Sequence, residues 1–237
     1  MLGSLLYSII LQVCINTLEI GHGKTVSNAA GMCTYNEKKF LLVDIPGTYS
    51  IMSNSEEEEI ARNYICFGDS DVVVVIVDAT SLERNLNLVY QIMEITDKVV
   101  VCVNLLDEAK KKGINIDLKE MERLLGVPVV GTIARKKKTL NRLMDKDAKI
   151  ANGEIKLQPK TIRYLPYVED CVENIQEKIE KMLPKNDKRL ARWICLKIID
   201  GDSKILKSIE DNLHIKIGKN SNAMLEKAKS VNLCIEK

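Results

Sequence analysis

Residues 72–78 and 99–107 read VVVVIVD and VVVCVNLLD, two Val-rich aliphatic runs that each end in a polar residue suited to a ligand loop. A run this apolar and this short fits a strand buried on both faces of a parallel sheet. Two further runs of the same texture flank them, Phe40–Val43 and Val127–Val130. Between the runs the pattern turns helical. Glu56–Cys66 follows Ser55 as a cap, and Glu83–Ile95 and Leu118–Leu125 repeat apolar residues at three-four spacing. Alternating strands and helices predict an α/β fold, a mostly parallel sheet flanked by helices. Val26–Met32 is expected to pair antiparallel with the Phe40 strand through a turn at Tyr35-Asn36-Glu37.

Past Asp147 the texture changes. Residues 151–166, with Gly153, Pro159 and Pro166, read as a linker, and 167–237 shows only helical patterns: Tyr167–Met182, Asp187–Ile199, Ser203–Asn212 and Asn222–Ser230. Pro184 and Gly201 are stop signals between them. The expected organisation is a non-matching segment 1–22, an α/β domain over 23–150, the linker, and a small all-helical domain over 167–237.

Composition narrows the function. The 237 residues hold 35 Lys and Arg against 33 Asp and Glu, a formal charge of +2, which gives no field for gathering nucleic acid. With 46% hydrophobic and 29% charged residues the chain is ordinary globular material, and with 4% aromatics its core must be aliphatic. Seven cysteines without a CxxC pair point to a reducing compartment, and two histidines, His22 and His214, exclude a His-rich metal site. The apolar stretch Leu5–Ile15 is shorter than the roughly 20 residues a membrane helix needs, and no Lys or Arg precedes it. A soluble, cytoplasmic chain is expected.

Three short motifs each follow an aliphatic run. Asp44-Ile45-Pro46-Gly47 offers a carboxylate for a water-bridged Mg2+ and a Gly amide that can approach a terminal phosphate. Asn104-Leu105-Leu106-Asp107 places an Asp where it can accept both the ring N–H and the exocyclic amine of guanine, a donor pair that adenine lacks. Thr132-Ile133-Ala134-Arg135 could present a backbone N–H to the guanine carbonyl. Each is weak alone. Their order, with Asp78 ending the strand between the first two, is the layout of a GTP-binding domain whose ligand lies at the carboxyl rim of the sheet.

The stretches VDIPGTYS, SEEEEIARNYI, VVIVDATSLERNL, NLLDEAKKKGINID and LLGVPVVGTIA resemble the cytosolic GTPase domain of the ferrous iron transport protein B family, and RYLPYVE and RLARWICLKIIDGD resemble its helical regulatory domain. The resemblance runs from Gly23 to the C-terminus. It implies a P-loop GTPase-like fold that binds GTP or GDP with Mg2+ held by Thr25 and Asp44. Gly47 would sense the γ-phosphate, Asn104 and Asp107 would read guanine, and Ile133, Ala134 and Arg135 would line the base. It also implies a nucleotide state that regulates Fe2+ transport through a transmembrane permease at the cytosolic face of the inner membrane. A helical domain that tunes nucleotide release goes with it, and homo-oligomerisation is left open. Thr48 stands where many GTPases place a water-orienting Gln, so hydrolysis is expected to be slow even in an intact relative.

One part is missing. A GTPase needs GxxxxGK[ST] to wrap the phosphates. Gly23-Lys24-Thr25 does not supply it, because the first Gly would fall at Leu18. Met1–His22 resembles nothing in the family when read as written. Read in the frame formed by the third base of each codon and the first two of the next, Met1–Leu6 permits VGKST, and the codons that follow permit the rest of the loop and its helix. A frameshift that removes the phosphate loop is therefore expected, with weak GTP binding and negligible hydrolysis. The alternatives are a divergent N-terminus with Ser8–Ile15 as an edge strand, a fragment without nucleotide function, or a GTPase of ribosome or tRNA maintenance. Glu56–Glu59 reads as a solvated first helical turn, Arg135–Lys138 as a solvent-facing loop, and Trp193, Cys102 and Cys195 as core.

Overall fold

The structure, a computed structural model, describes residues 9–15, 30–45, 50–52, 55–68, 70–133, 135–185 and 187–217. It divides into two compact units, 1–160 and 161–237, so the division falls inside the expected connector. Residues 158 and 160 are tied to the first unit, where their amides donate to the carbonyls of Gly126 and Leu125.

The first unit is a six-stranded sheet in the order β2-β3-β1-β4-β5-β6. Its strands are β1 (Ile9–Ile15), β2 (Ala30–Tyr35), β3 (Lys38–Ile45), β4 (Val72–Asp78), β5 (Val99–Asn104) and β6 (Val129–Gly131). Strands β4, β5 and β6 are parallel, and β2 and β3 form an antiparallel hairpin. Asn36 and Glu37 at its tip both take positive φ, as the tight turns of such hairpins require. Tyr35 Oη donates to Asp145 Oδ1 at 2.9 Å and pins the tip to a helix.

The central position corrects one expectation. The slot between β3 and β4 is filled by Ile9–Ile15, from the segment read as non-matching, and the strand is central rather than at an edge. It runs antiparallel to both neighbours, with Ile10 opposite Ile45 and Ile9 opposite Ile76. Its start therefore lies at the rim where β3 and β4 end, and its end, Ile15 opposite Phe40, lies at the far rim.

Both faces of the sheet are covered, which explains the near-continuous Val runs. The helices of this unit are α1 (Glu56–Phe67), α2 (Leu82–Ile95), α3 (Leu106–Lys111), α4 (Leu118–Leu125) and α5 (Lys137–Ala151). On one face Leu143, Ala148 and Ile150 of α5 join Phe40, Val72, Val74, Val100, Cys102 and Val130. Helix α2 packs on β4 and β5 and buries Leu88, Val89, Ile92 and Met93. The Ser55 cap holds, with Ser55 Oγ accepting from the Glu58 amide at 3.2 Å, and α4 is capped by Asp117 Oδ1, which accepts from the Lys119 and Glu120 amides at 3.0 Å. Helices α3 and α5 were not expected, and Lys137 and Lys138 open α5 rather than extending a loop.

The second unit contains α6 (Pro166–Met182), α7 (Lys188–Asp200) and α8 (Ser203–Leu213). Trp193, Ile194 and Ile198 of α7 are buried with Val172, Ile175 and Ile179 of α6 and Ile205 and Ile209 of α8. Glu169 accepts from Arg192 Nη2 at 2.8 Å and from the Tyr164 amide at 2.8 Å, and these bonds hold its carboxyl down at about 2. The expected helix at Asn222–Ser230 lies outside the described residues. Among the described residues no helix is long and apolar enough to cross a membrane.

Candidate nucleotide-binding site

The described motif residues gather at one rim of the sheet. Asp78 of β4 and Asn104 of β5 sit opposite each other in register, and Gly131 of β6 is opposite Val103. Asp44 lies one residue before the end of β3, on the same rim. Three inter-strand steps of about 4.8 Å separate β3 from β5, about 14 Å in all. Gly47, Thr25 and Ala134 lie outside the described residues, as does Thr48.

The loop after β5 is built for a sharp exit. Leu105 takes a left-handed φ of 61°, and Leu106 then opens α3, so Asp107 falls in its first turn. The loop is stitched to the one after β6. The Thr132 amide donates to Val103 O at 2.7 Å, and the Leu106 amide reaches Thr132 O at 3.5 Å. The Thr132 side chain, 1% exposed, donates to Asn104 Oδ1 at 3.2 Å and lies 3.2 Å from Cys102 Sγ. With its oxygen engaged, the Asn104 carboxamide has its NH2 left to offer. Thr139 Oγ1 bonds both the amide and the carbonyl of Ile133, which fixes the next stretch of the loop.

Electrostatics separate the two key carboxylates. At Asp107 burial pushes the carboxyl up, but hydrogen bonds from Arg135 and from the Asp107 and Glu108 amides outweigh it, and the net result lies below the ordinary value. Arg135 Nη2 is 3.1 Å from Asp107 Oδ2, a pair that sequence reading missed because its members stand 28 positions apart. Asp44 is raised by partial burial. Cys102 and Cys195 are buried thiols pushed up to about 11 and about 12 by burial, in keeping with core roles.

A mixed sheet in which β3, β4, β5 and β6 run the same way, with helices on both faces and polar loops at their carboxyl rim, has the layout of the P-loop GTPase-like class of fold. Comparison with known proteins makes this specific. The family model described as ferrous iron transport protein B matches residues 8–147, and that of the FeoB cytosolic helical domain matches residues 164–233. The first match begins inside the stretch read as unlike the family. The Fe(2+) transport protein A/Fe(2+) transporter FeoB fusion protein of Porphyromonas gingivalis is 35% identical over 185 residues, 77% of this chain and 22% of that one. The cytosolic domain of the T. maritima FeoB iron transporter in a GDP form superimposes with a TM-score of 0.67 at 29% identity, over 92% of this chain and 85% of that one. A mutant S. thermophilus NFeoB bound to GDP gives 0.73 at 26% identity, over 94% and 81%. The chain belongs to the ferrous iron transport protein B family. It spans about a quarter of the length of the curated relatives it matches.

Proposed function

We propose that this chain is the guanine-reading part of a ferrous iron transporter, whose nucleotide state regulates passage of Fe2+ through a membrane permease, and that its grip on the phosphates is impaired. The observation that carries the reading is the pairing of Asn104 and Asp107 at the carboxyl rim, with Thr132 orienting Asn104. Asn104 steadies the loops, and Asp107 takes the N1–H and 2-amino donors of guanine. Ile133, Ala134 and Arg135 belong to the loop beside the base. A bound Mg2+ would supply charge neutralisation at the phosphates. Such an ion takes one or two carboxylates plus phosphate and water, which suits Asp44 on β3 with Thr25 and leaves Gly47 to meet the γ-phosphate.

The impairment rests on the direction of β1. In the class, the phosphate loop follows the carboxyl end of the central strand, but here that end lies at the rim away from Asn104. A loop that follows Ile15 starts on the wrong side to cradle phosphates. Sequencing the DNA across codons 1–23 tests the shifted-frame origin of this segment.

The functional test is titration of the full chain with GDP and ADP, followed by amide NMR shifts. GDP is expected to saturate only at millimolar concentration, to shift residues 104–107 and 132–135, and to exceed ADP. Equal response to ADP overturns the guanine reading. Micromolar GTP affinity by calorimetry, or turnover of GTP, overturns the impairment.

A further inference from the structure

Resting on the guanine reading just given, we infer that Arg135 is an internal stand-in for guanine, a latch that holds the Asp107 carboxylate until the base displaces it. Guanine's recognition edge is an N–C–N unit with donors on both nitrogens. The guanidinium of arginine is the charged counterpart of that unit, with the same side-by-side donors. Arg135 Nη2 sits 3.1 Å from Asp107 Oδ2 and 3.8 Å from Glu108 Oε1, so the head group has two acidic anchors where the base edge would dock.

The surroundings suit a contact that opens. The Arg135 side chain is 79% exposed and that of Asp107 25%, so the arginine can swing into solvent while the carboxylate stays in place. The nearby amides of Asp107 and Glu108 also favour the ionised carboxylate, so its charge does not depend on the arginine alone. The loop that carries Arg135 is fixed by the Lys136 amide on Ile133 O at 2.7 Å and by Thr139 Oγ1 on Lys136 O at 2.7 Å. The latch therefore weighs on guanine alone: a base without guanine's two donors leaves the guanidinium in place and loses nothing to it.

The test uses the full chain with GMP and AMP as probes, because their phosphates are alike and their difference isolates the base. Arg135→Gln removes the charged competitor. An exposed ion pair of this kind corresponds to about a 1.5- to 5-fold effect. GMP is expected to tighten by that factor at low salt while AMP does not, and the gain should vanish at 0.5 M salt, where exposed pairs are screened (roughly a 4 Å Debye length). Without nucleotide, the Asp107 carboxyl, followed by NMR, should titrate at a higher pH in the variant. An unmoved Asp107 titration overturns the latch, as does GMP affinity that is unchanged or weakened at low salt. A moved titration with no preference for GMP over AMP in either protein overturns the guanine reading, and the inference falls with it.

Discussion

Asp147 supplies a sharp energetic prediction. It lies on α5 with no solvent exposure, and among the described residues neither carboxyl oxygen has a hydrogen-bond partner. Leu143, Ala148 and Ile150 of the same helix pack in the core on the sheet face, and Asp147 helps to push up the Cys102 thiol there. Burial raises the Asp147 carboxyl from 3.8 to about 8. The folded state therefore keeps a proton that the unfolded chain releases near pH 4, and the sign follows. Its full contribution is present below about pH 4 and is lost as pH rises toward about 8, at about 1.4 kcal/mol per unit. At pH 7 the interval from 3.8 amounts to about 4 kcal/mol, a large share of the 5–15 kcal/mol typical of a domain. Asp147→Asn removes the titration but keeps the shape, and its own buried amide costs about 1–2 kcal/mol. The variant should gain about 2–3 kcal/mol at pH 7 and lose about 1 kcal/mol at pH 4, where the cost of burying the amide remains and the titration term is nearly gone. Urea unfolding followed by far-UV ellipticity between pH 4 and 8.5 measures this, with Trp193 fluorescence as a control for residues 161–237. Wild-type stability of the first unit that is flat or rising from pH 5 to 8 would refute the reasoning, as would a variant less stable at pH 8.

Glu169 has the opposite sign. Its carboxyl is depressed to about 2, so its contribution is present above the usual range near 4.5 and lost as pH falls through about 2. Glu169→Gln should cost about 1–2 kcal/mol at pH 7 after allowance for solvent screening, and the deficit should shrink on acidification, read from the Trp193 urea midpoint. Gly126→Ala should cost about 2 kcal/mol or more, because φ is +72° and the added Cβ runs into the Gln158 carbonyl. Gly113→Ala, at φ +73° with nothing near, should cost about 1 kcal/mol, so thermal melts of the pair isolate the clash. Thr132→Val should lower stability by about 1–2 kcal/mol by leaving Asn104 Oδ1 without its donor, and Thr132→Ser should restore most of it in the same urea assay.

The parts of the fold legible in the sequence are those where one physical signal dominates. The Val runs of β4 and β5 could only be strands covered on both sides, and they are buried along nearly their whole length. Helix α1 was legible through Ser55, α4 through its three-four apolar spacing, and α7 and α8 through helical patterns divided at Gly201; Asp117, Asp187 and Asp202, whose side chains accept from the first-turn amides, cap the last three. Helix α5 was hidden because its apolar stripe of Leu143, Ala148 and Ile150 is interrupted by Asp147, and a charge on a core position reads as solvent-facing. An acid four residues after Leu143 on that stripe was itself the available signal. At the candidate site, motif order singled out Asn104 and Asp107, and the structure puts both at the carboxyl end of β5. The Arg135–Asp107 pair was not legible, since it depends on how two loops from different strands meet.

The reversed central strand follows from the same logic of period and burial. A strand's apolar set is defined by alternation, and alternation reads the same in both directions, so the sheet's hydrophobic faces do not by themselves specify strand polarity. Between β3 and β4 the slot requires ladder partners on both sides and aliphatic side chains above and below. IILQVCI can meet the ladder requirement running either way, and antiparallel pairing costs nothing in hydrogen bonds. Polarity is instead demanded by function, because the loop leaving the strand must emerge at the rim that carries Asp44, Asp78 and Asn104. Sheet pairing and the proposed phosphate grip are therefore separate demands on this one element: the ladder can be completed by a segment of either polarity, whereas the impairment proposed above turns on which rim its exit faces.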